Sequence, residues 1–224
     1  MNKQTIAGLD NPVTQFNTGA VRDIQEDKGR MDLMPLAIVG ELYTIYQNNF
    51  LTYSRRTETE LIQEIFKNLH NYIYEGDYTL LLKSLSNFIF ISLEWCDHCE
   101  SERVAYAILD VSLHYKRGLE KYGERNWEKG IPLHSYIDSG TRHFVKDLAH
   151  FKDERHDLAF IWNLLCCCHT QKYIDNKSLM DLPFCKEHKS STPKTMKELA
   201  NNVYQRLETL GWNTEDIKNE SKNR

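Results

Sequence analysis

Apolar side chains recur every three or four residues through most of this chain, the period of a helix with one buried face. Leu61, Ile65 and Leu69 stand at four-residue steps, and Ile62 and Phe66 widen the stripe. A second apolar-rich run covers Tyr78 to Trp95. A third, from about Glu102 to Tyr122, presents Val104, Ile108, Val111, Tyr115 and Leu119 on one face, and Gly123 ends it. Gly130 and Pro132 preclude a continuous helix through ERNWEKGIPL, residues 124–133. Helices are then expected from about Ser135 to His150 and from Asp153 to about Thr170, with the Asp153 carboxylate as N-cap of the latter. That helix is apolar nearly all round, through Leu158, Phe160, Ile161, Trp162, Leu164 and Leu165, which places it at the centre of a bundle.

The ends of the chain differ. Residues 1–35 read as an irregular polar arm punctuated by Gly8, Pro12, Gly19, Gly29 and Pro35. Thr170 to Ser191 reads as an irregular tail. A last amphipathic helix is expected over about Lys194 to Leu210, with Met196, Leu199, Val203, Leu207 and Leu210 on its face and Gly211 as cap. Strand-like alternation is weak throughout, so the predicted class is all-α.

Composition narrows the possibilities. With 41% hydrophobic and 27% charged residues, a packed core is expected and global disorder is not. A formal net charge of −4 argues against a general nucleic-acid binder, which would carry a basic face, but leaves room for a small anion held by local cations. No run approaches the roughly 18 apolar residues of a membrane span. The stretch MNKQTIAGLDNPVTQF lacks the apolar core of a signal peptide, so a cytosolic protein is expected. Its six cysteines are then read as reduced, serving as core residues or metal ligands.

Polarity within the most apolar helices is where chemistry is sought. Glu154 and Asp157 stand three apart, a spacing that puts two carboxylates on adjacent turns of one helix face. At the mouth of a bundle such a pair suits a hard divalent cation, and Asp138 and His143 on the preceding helix are candidates to face the same point. The alternative is that these acids only stabilise a helix N-terminus, an effect of roughly 0.3–1 kcal/mol each. In KYGERNWEKG, residues 121–130, the cations Lys121, Arg125 and Lys129 interleave with Tyr122 and Trp127, and Asn126 lies between them. Cations bind phosphates and an indole stacks on a base; the plainer reading is a solvated turn anchored by a buried Trp. Arg22, Lys28 and Arg30 in the arm are further candidates to reach a phosphate chain.

Three strings occur in order: GAVRD…KGRMDLMP, HYKRGLEKYGERNWEKGIPLHSYIDSGTRH and DERHDLAFIWNLL. Together they resemble the dATP/dGTP diphosphohydrolase family of phage and bacterial genomes, which includes MazZ-like enzymes and is similar to the helical MazG-type pyrophosphohydrolases. The resemblance covers residues 19–35 and about 110–168. It implies a MazG-like helical bundle, with 104–170 as the catalytic helices, 36–103 as an inserted helical segment and 171–224 as a tail. It implies Mg²⁺ or Mn²⁺, a nucleoside triphosphate substrate cut between the α- and β-phosphates, and assembly into a homo-oligomer. No membrane or nucleic-acid partner is implied. If phage-encoded, the protein would act in the host cytoplasm. Glu154 and Asp157 match the E-x-x-D half of the MazG pattern. The E-x-x-E half is missing: Glu120, Glu124 and Glu128 step by four, which leaves Glu124 and Asp138 as candidates for the remaining metal ligand.

A second metal site is conceivable on spacing. Cys96 and Cys99 form a C-x-x-C, and Cys185 and His188 a C-x-x-H, four ligands of the kind structural zinc takes. Cys166, Cys167 and Cys168 are read as core. Two competing functions follow from other groupings. His156-Asp157, with His114 or His143 before it and Asp175 or Asp181 after it, is the outline of an HD-type triphosphohydrolase. The Cys/His pairs alone would suit a non-catalytic, zinc-stabilised helical interaction module.

Overall fold

The computed structural model describes residues 2–4, 13–23 and 28–184. The helix expected over Lys194 to Leu210, and the pair Cys185 and His188, lie outside the described residues. The expected all-α class holds: six α-helices carry the described chain. Where sequence predicts an irregular arm, three short strands pair antiparallel in the order β1 (Asn2–Gln4), β2 (Val13–Gln15), β3 (Val21–Asp23). Three-residue strands are too short for a period-two pattern to show in sequence.

The helices are α1 (Leu36–Tyr53), α2 (Glu58–Glu75), α3 (Thr79–Ile91), α4 (Arg103–Tyr122), α5 (Leu133–Leu148) and α6 (His156–Tyr173). Their ends follow local chemistry. Thr57 and Glu60 cap α2 reciprocally, the threonine hydroxyl accepting from the Glu60 amide and the Glu60 carboxylate from the Thr57 amide. After α4 comes a short 3₁₀ turn, Asn126–Lys129, held between Arg125 and Gly130, both at positive φ.

α6 is the centre. Leu158, Phe160, Ile161, Leu164, Leu165 and all three cysteines are 0–2% exposed. Phe160 stacks on Phe144 of α5 at 5.1 Å and meets the edge of Phe88 of α3 at 4.9 Å. The thiols of Cys166 and Cys167 lie 3.2 and 3.3 Å from the hydroxyls of Tyr115 and Tyr72, and burial raises the pKa of both. α5 runs alongside α6, closest at Gly140, where a Cβ would stand 2.8 Å from Leu164 Cδ1. Residues 36–103 share this core: α1 and α3 pack against both α4 and α6. Among the described residues no helix is long and apolar enough to cross a membrane.

Truncating the ring that joins three helices tests this arrangement. Phe160→Ala is expected to lower unfolding stability by about 3–5 kcal/mol in a urea titration; a loss below about 1 kcal/mol would contradict a close-packed α3–α5–α6 junction.

Candidate active site

A cavity of about 350 Å³ opens between α4, α5, α6 and the loop after α4. α4 supplies His114, Tyr115, Gly118, Leu119 and Tyr122. The loop supplies Gly123, Arg125, Asn126, Trp127 and Ile131, and α5 supplies Ser139 and His143. Ala159, Trp162 and Asn163 come from α6, Glu154 from the residues just before it, and Leu33 from the arm. One wall is therefore aromatic and the rim polar, as small-molecule sites usually are.

The loop is held rigidly. The buried Trp127 donates its indole N–H to the Leu33 carbonyl at 3.2 Å and meets the Tyr115 ring edge-on. Arg125 donates Nε to Glu128 at 2.7 Å and Nη1 to the Asp32 carbonyl at 2.7 Å. Asn163 donates to the Ala159 carbonyl at 2.8 Å.

Two histidines and a carboxylate come together where His143 and Glu154 line the cavity. His143 Nδ1 and His156 Nδ1 are 3.0 Å apart, and Glu154 Oε1 is 3.5 Å from each. Among the described residues this is the one group of three metal-capable side chains. His156 is fully buried, and its Nε2 lies 2.7 Å from Asp153 Oδ1. Lys146 Nζ donates to the other oxygen of Asp153 at 3.0 Å. The bonds from Lys146 and then His156 hold the Asp153 carboxyl down to about 2. Burial lowers the pKa of His143, and of His114 deeper in the cavity, favouring neutral imidazoles with a free lone pair.

Asp153 does not cap α6. The helix begins at His156, Arg155 occupies the N-cap position, and the carboxylate of Asp153 is engaged by Lys146 and His156. Glu154 therefore precedes the helix and does not share a face with Asp157. Asp157 is buried and turned elsewhere, accepting from Arg155 Nε at 2.9 and 3.2 Å and from Nη2 at 2.6 Å. Arg155 also lies 3.7 Å from Glu94 and 3.5 Å from Asp110, and these carboxylates, Asp157 foremost, raise its pKa. Asp138 is exposed and pairs with Arg142.

Of the other expected residues, Arg125, Asn126 and Trp127 line the cavity with Glu154 and His143. Arg30 is bonded to Asp32 at 2.8 and 2.6 Å and approaches Glu124 at 4.0 Å. Lys28 and Lys129 are exposed. Arg22 lies on β3 opposite Thr14. Lys121 sits over the Tyr122 ring, and its pKa is raised chiefly by Tyr122 and in smaller part by Glu154. Cys96 and Cys99 are exposed, the first donating weakly to Asp97 at 3.8 Å and the second 3.4 Å from Ser101 Oγ. Sequence reasoning brings in His156 only as half of the HD dipeptide, and not as a partner of His143 and Glu154. Its signal was its place, a histidine entering an otherwise apolar helix.

The two neighbours Glu154 and Arg155 should separate in a stability measurement. Arg155→Ala leaves Asp157 buried without its cation and is expected to cost about 3 kcal/mol of unfolding free energy. Glu154→Gln, at a half-exposed position, should stay within about 0.5 kcal/mol. Equal losses in denaturant titrations would refute this division.

The family model described as dATP/dGTP diphosphohydrolase, N-terminal, matches residues 103–181. No curated protein and no solved structure matches the chain. The matched segment holds α4, α5, α6 and every cavity-lining residue except Leu33. Over residues 103–181 the resemblance read from the sequence is supported: that segment is similar to the N-terminal domain of the dATP/dGTP diphosphohydrolases.

Proposed function

We propose that this protein hydrolyses purine deoxynucleoside triphosphates to the monophosphate and pyrophosphate. The observation that carries this reading is the cavity itself, whose lining, Leu33 apart, lies within the matched segment and combines aromatic side chains with His143 and Glu154 of a His–His–Glu group. Its volume, about 350 Å³, is at the lower end of the range for small-molecule sites. Such a space holds a base and sugar and leaves the phosphates at the rim. Trp162, Tyr122 and Tyr115 offer ring faces and edges to a base. Asn126, Ser139 and Asn163 offer hydrogen-bonding groups beside them.

The rim suits the phosphate chain. Lys121 lies near enough to Glu154 for their charges to interact, which puts a cation beside the group of ligands. His143, Glu154 and His156 would hold a divalent ion. Such an ion polarises phosphate oxygens and lowers the pKa of a bound water. His143 and His156 each present Nδ1 toward the other, and Glu154 completes the group with a carboxylate oxygen. Arg125 holds the loop in place through Glu128 and Asp32, which fixes Asn126 and Trp127 against the cavity.

The HD-type alternative needs His156 and Asp157 to act together. They face different partners here, His156 toward His143 and Asp153, Asp157 toward Arg155.

The test is a panel of deoxynucleoside and nucleoside triphosphates with Mg²⁺ or Mn²⁺ and resolved products. Expected are dGMP or dAMP with pyrophosphate; release of tripolyphosphate, or no turnover of any purine deoxynucleotide, would overturn the proposal. Glu154→Gln should lower kcat by about 100-fold or more while the protein stays folded, and unchanged turnover would remove Glu154 from the reaction.

A further inference from the structure

We infer that His143, Glu154 and His156 form one three-ligand site selective for imidazole-accepting ions of the Co²⁺ and Zn²⁺ class over Mg²⁺, and that Asp153 is its positioning residue. The inference deepens the proposed function by naming the ion class of the same site, and rests on it only in placing that site beside the substrate.

The geometry comes first. The three donor atoms form a triangle with edges of 3.0, 3.5 and 3.5 Å. Ligands about 2.1 Å from a common ion stand about 3.0 Å apart in octahedral and about 3.4 Å apart in tetrahedral arrangement. The donors are thus already spaced for one ion without moving the backbone. Three protein ligands leave positions for water or a phosphate oxygen, as catalytic sites require.

The donor chemistry then selects the ion. Mg²⁺ demands near-ideal octahedral oxygen coordination and keeps several of its waters. Imidazole nitrogens suit later first-row ions. Two of the three donors here are imidazoles, and the second carboxylate that a hard-cation site would use, Asp157, is buried against Arg155.

Asp153 sets the orientation. Its Oδ1 accepts at 2.7 Å from His156 Nε2, which assigns the proton to that nitrogen. A neutral imidazole protonated at Nε2 carries its lone pair on Nδ1, the atom that faces His143 Nδ1. Lys146, bonded to the other oxygen of Asp153, keeps the carboxylate in place. A carboxylate behind a ligating histidine fixes both the tautomer and the ring angle. With that lone pair on His156, His143 would donate its Nδ1 proton across the 3.0 Å gap when no ion is bound, and would ligate an ion through Nδ1 only as the other neutral tautomer, with its proton on Nε2.

The experiment is calorimetric and spectroscopic binding to the full chain stripped of metal with a chelator. Co²⁺ is expected to bind in one-to-one ratio with visible absorption, Zn²⁺ to compete for it, and Mg²⁺ to bind at least about 100-fold more weakly. His143→Ala and Glu154→Gln, both at the cavity rim, should each abolish or strongly reduce the Co²⁺ absorption while thermal unfolding stays cooperative. Asp153→Asn should weaken Co²⁺ binding about 10–100-fold, and Asp153→Glu should restore most of it. Mg²⁺ binding as tightly as Co²⁺, Co²⁺ binding untouched by His143→Ala, or failure of Asp153→Glu to restore it would each overturn the inference. Hydrolysis supported by Mg²⁺ and unaffected by these variants would sink the ion-class assignment but leave the proposed function. Tight Co²⁺ binding without hydrolysis of any deoxynucleotide would do the reverse.

Discussion

The burial of α6 on all sides is the constraint on which the rest depends. A helix with no face to water must satisfy every polar side chain it carries from within the protein, because an unpaired buried group costs about 1–3 kcal/mol and a buried charge more. Two such groups stand at its start, His156 and Asp157, each 1–2% exposed. They are satisfied in different directions. Asp157 takes the Arg155 guanidinium, and His156 takes Asp153 on one nitrogen and His143 on the other. The first pairing closes on itself and ties α6 toward Glu94 and Asp110. The second opens onto the cavity, and so the same burial that holds the core also builds the rim.

Much of the fold was legible because it rests on periodicity. The stripes of α2 and α4 and the all-round apolar character of α6 follow from residue spacing alone, and the observed helices lie where those patterns put them. The break at residues 124–133 was equally visible, since Gly130 and Pro132 forbid a helix there. The candidate site was only partly legible, and the reason is local. The reading of Glu154 and Asp157 as one helix face assumed a helix from Asp153, but the helix starts at His156. With Glu154 in the preceding turn, the rule for residues three apart no longer relates it to Asp157. His143 and His156, thirteen residues apart in sequence, meet only because α5 and α6 are antiparallel neighbours, and no spacing rule within one helix reports that.

The arm illustrates the same limit from the other side. Its cations suggested phosphate contacts; Arg30 is engaged by Asp32, and the arm also bonds to the cavity loop through two backbone carbonyls. The carbonyls of Asp32 and Leu33 accept from Arg125 and Trp127, so two adjacent residues of the arm fasten two of the three residues that open the cavity-lining turn. Backbone acceptors carry no sequence signature.

This fastening also accounts for a glycine. For the Asp32 and Leu33 carbonyls to reach the loop, the arm must cross α4 closely, and it does so at Gly29, where a Cβ would stand 1.6 Å from Ser112 Oγ. The Arg30 amide then donates to the Ser112 carbonyl at 3.1 Å. Only a residue without a side chain permits that approach. The same geometry explains why Arg125 tolerates a left-handed backbone, φ 48. A non-glycine residue is found there only when its surroundings over-determine it, and Arg125 is tied at once to Glu128 and to Asp32. The loop is therefore shaped before any ligand arrives, and the ordering entropy that a free loop would lose on binding is already lost in folding. Preorganisation of the aromatic wall by the arm, and of the histidine pair by Asp153 and Lys146, are two instances of one device: a group outside the cavity holds a group that lines it.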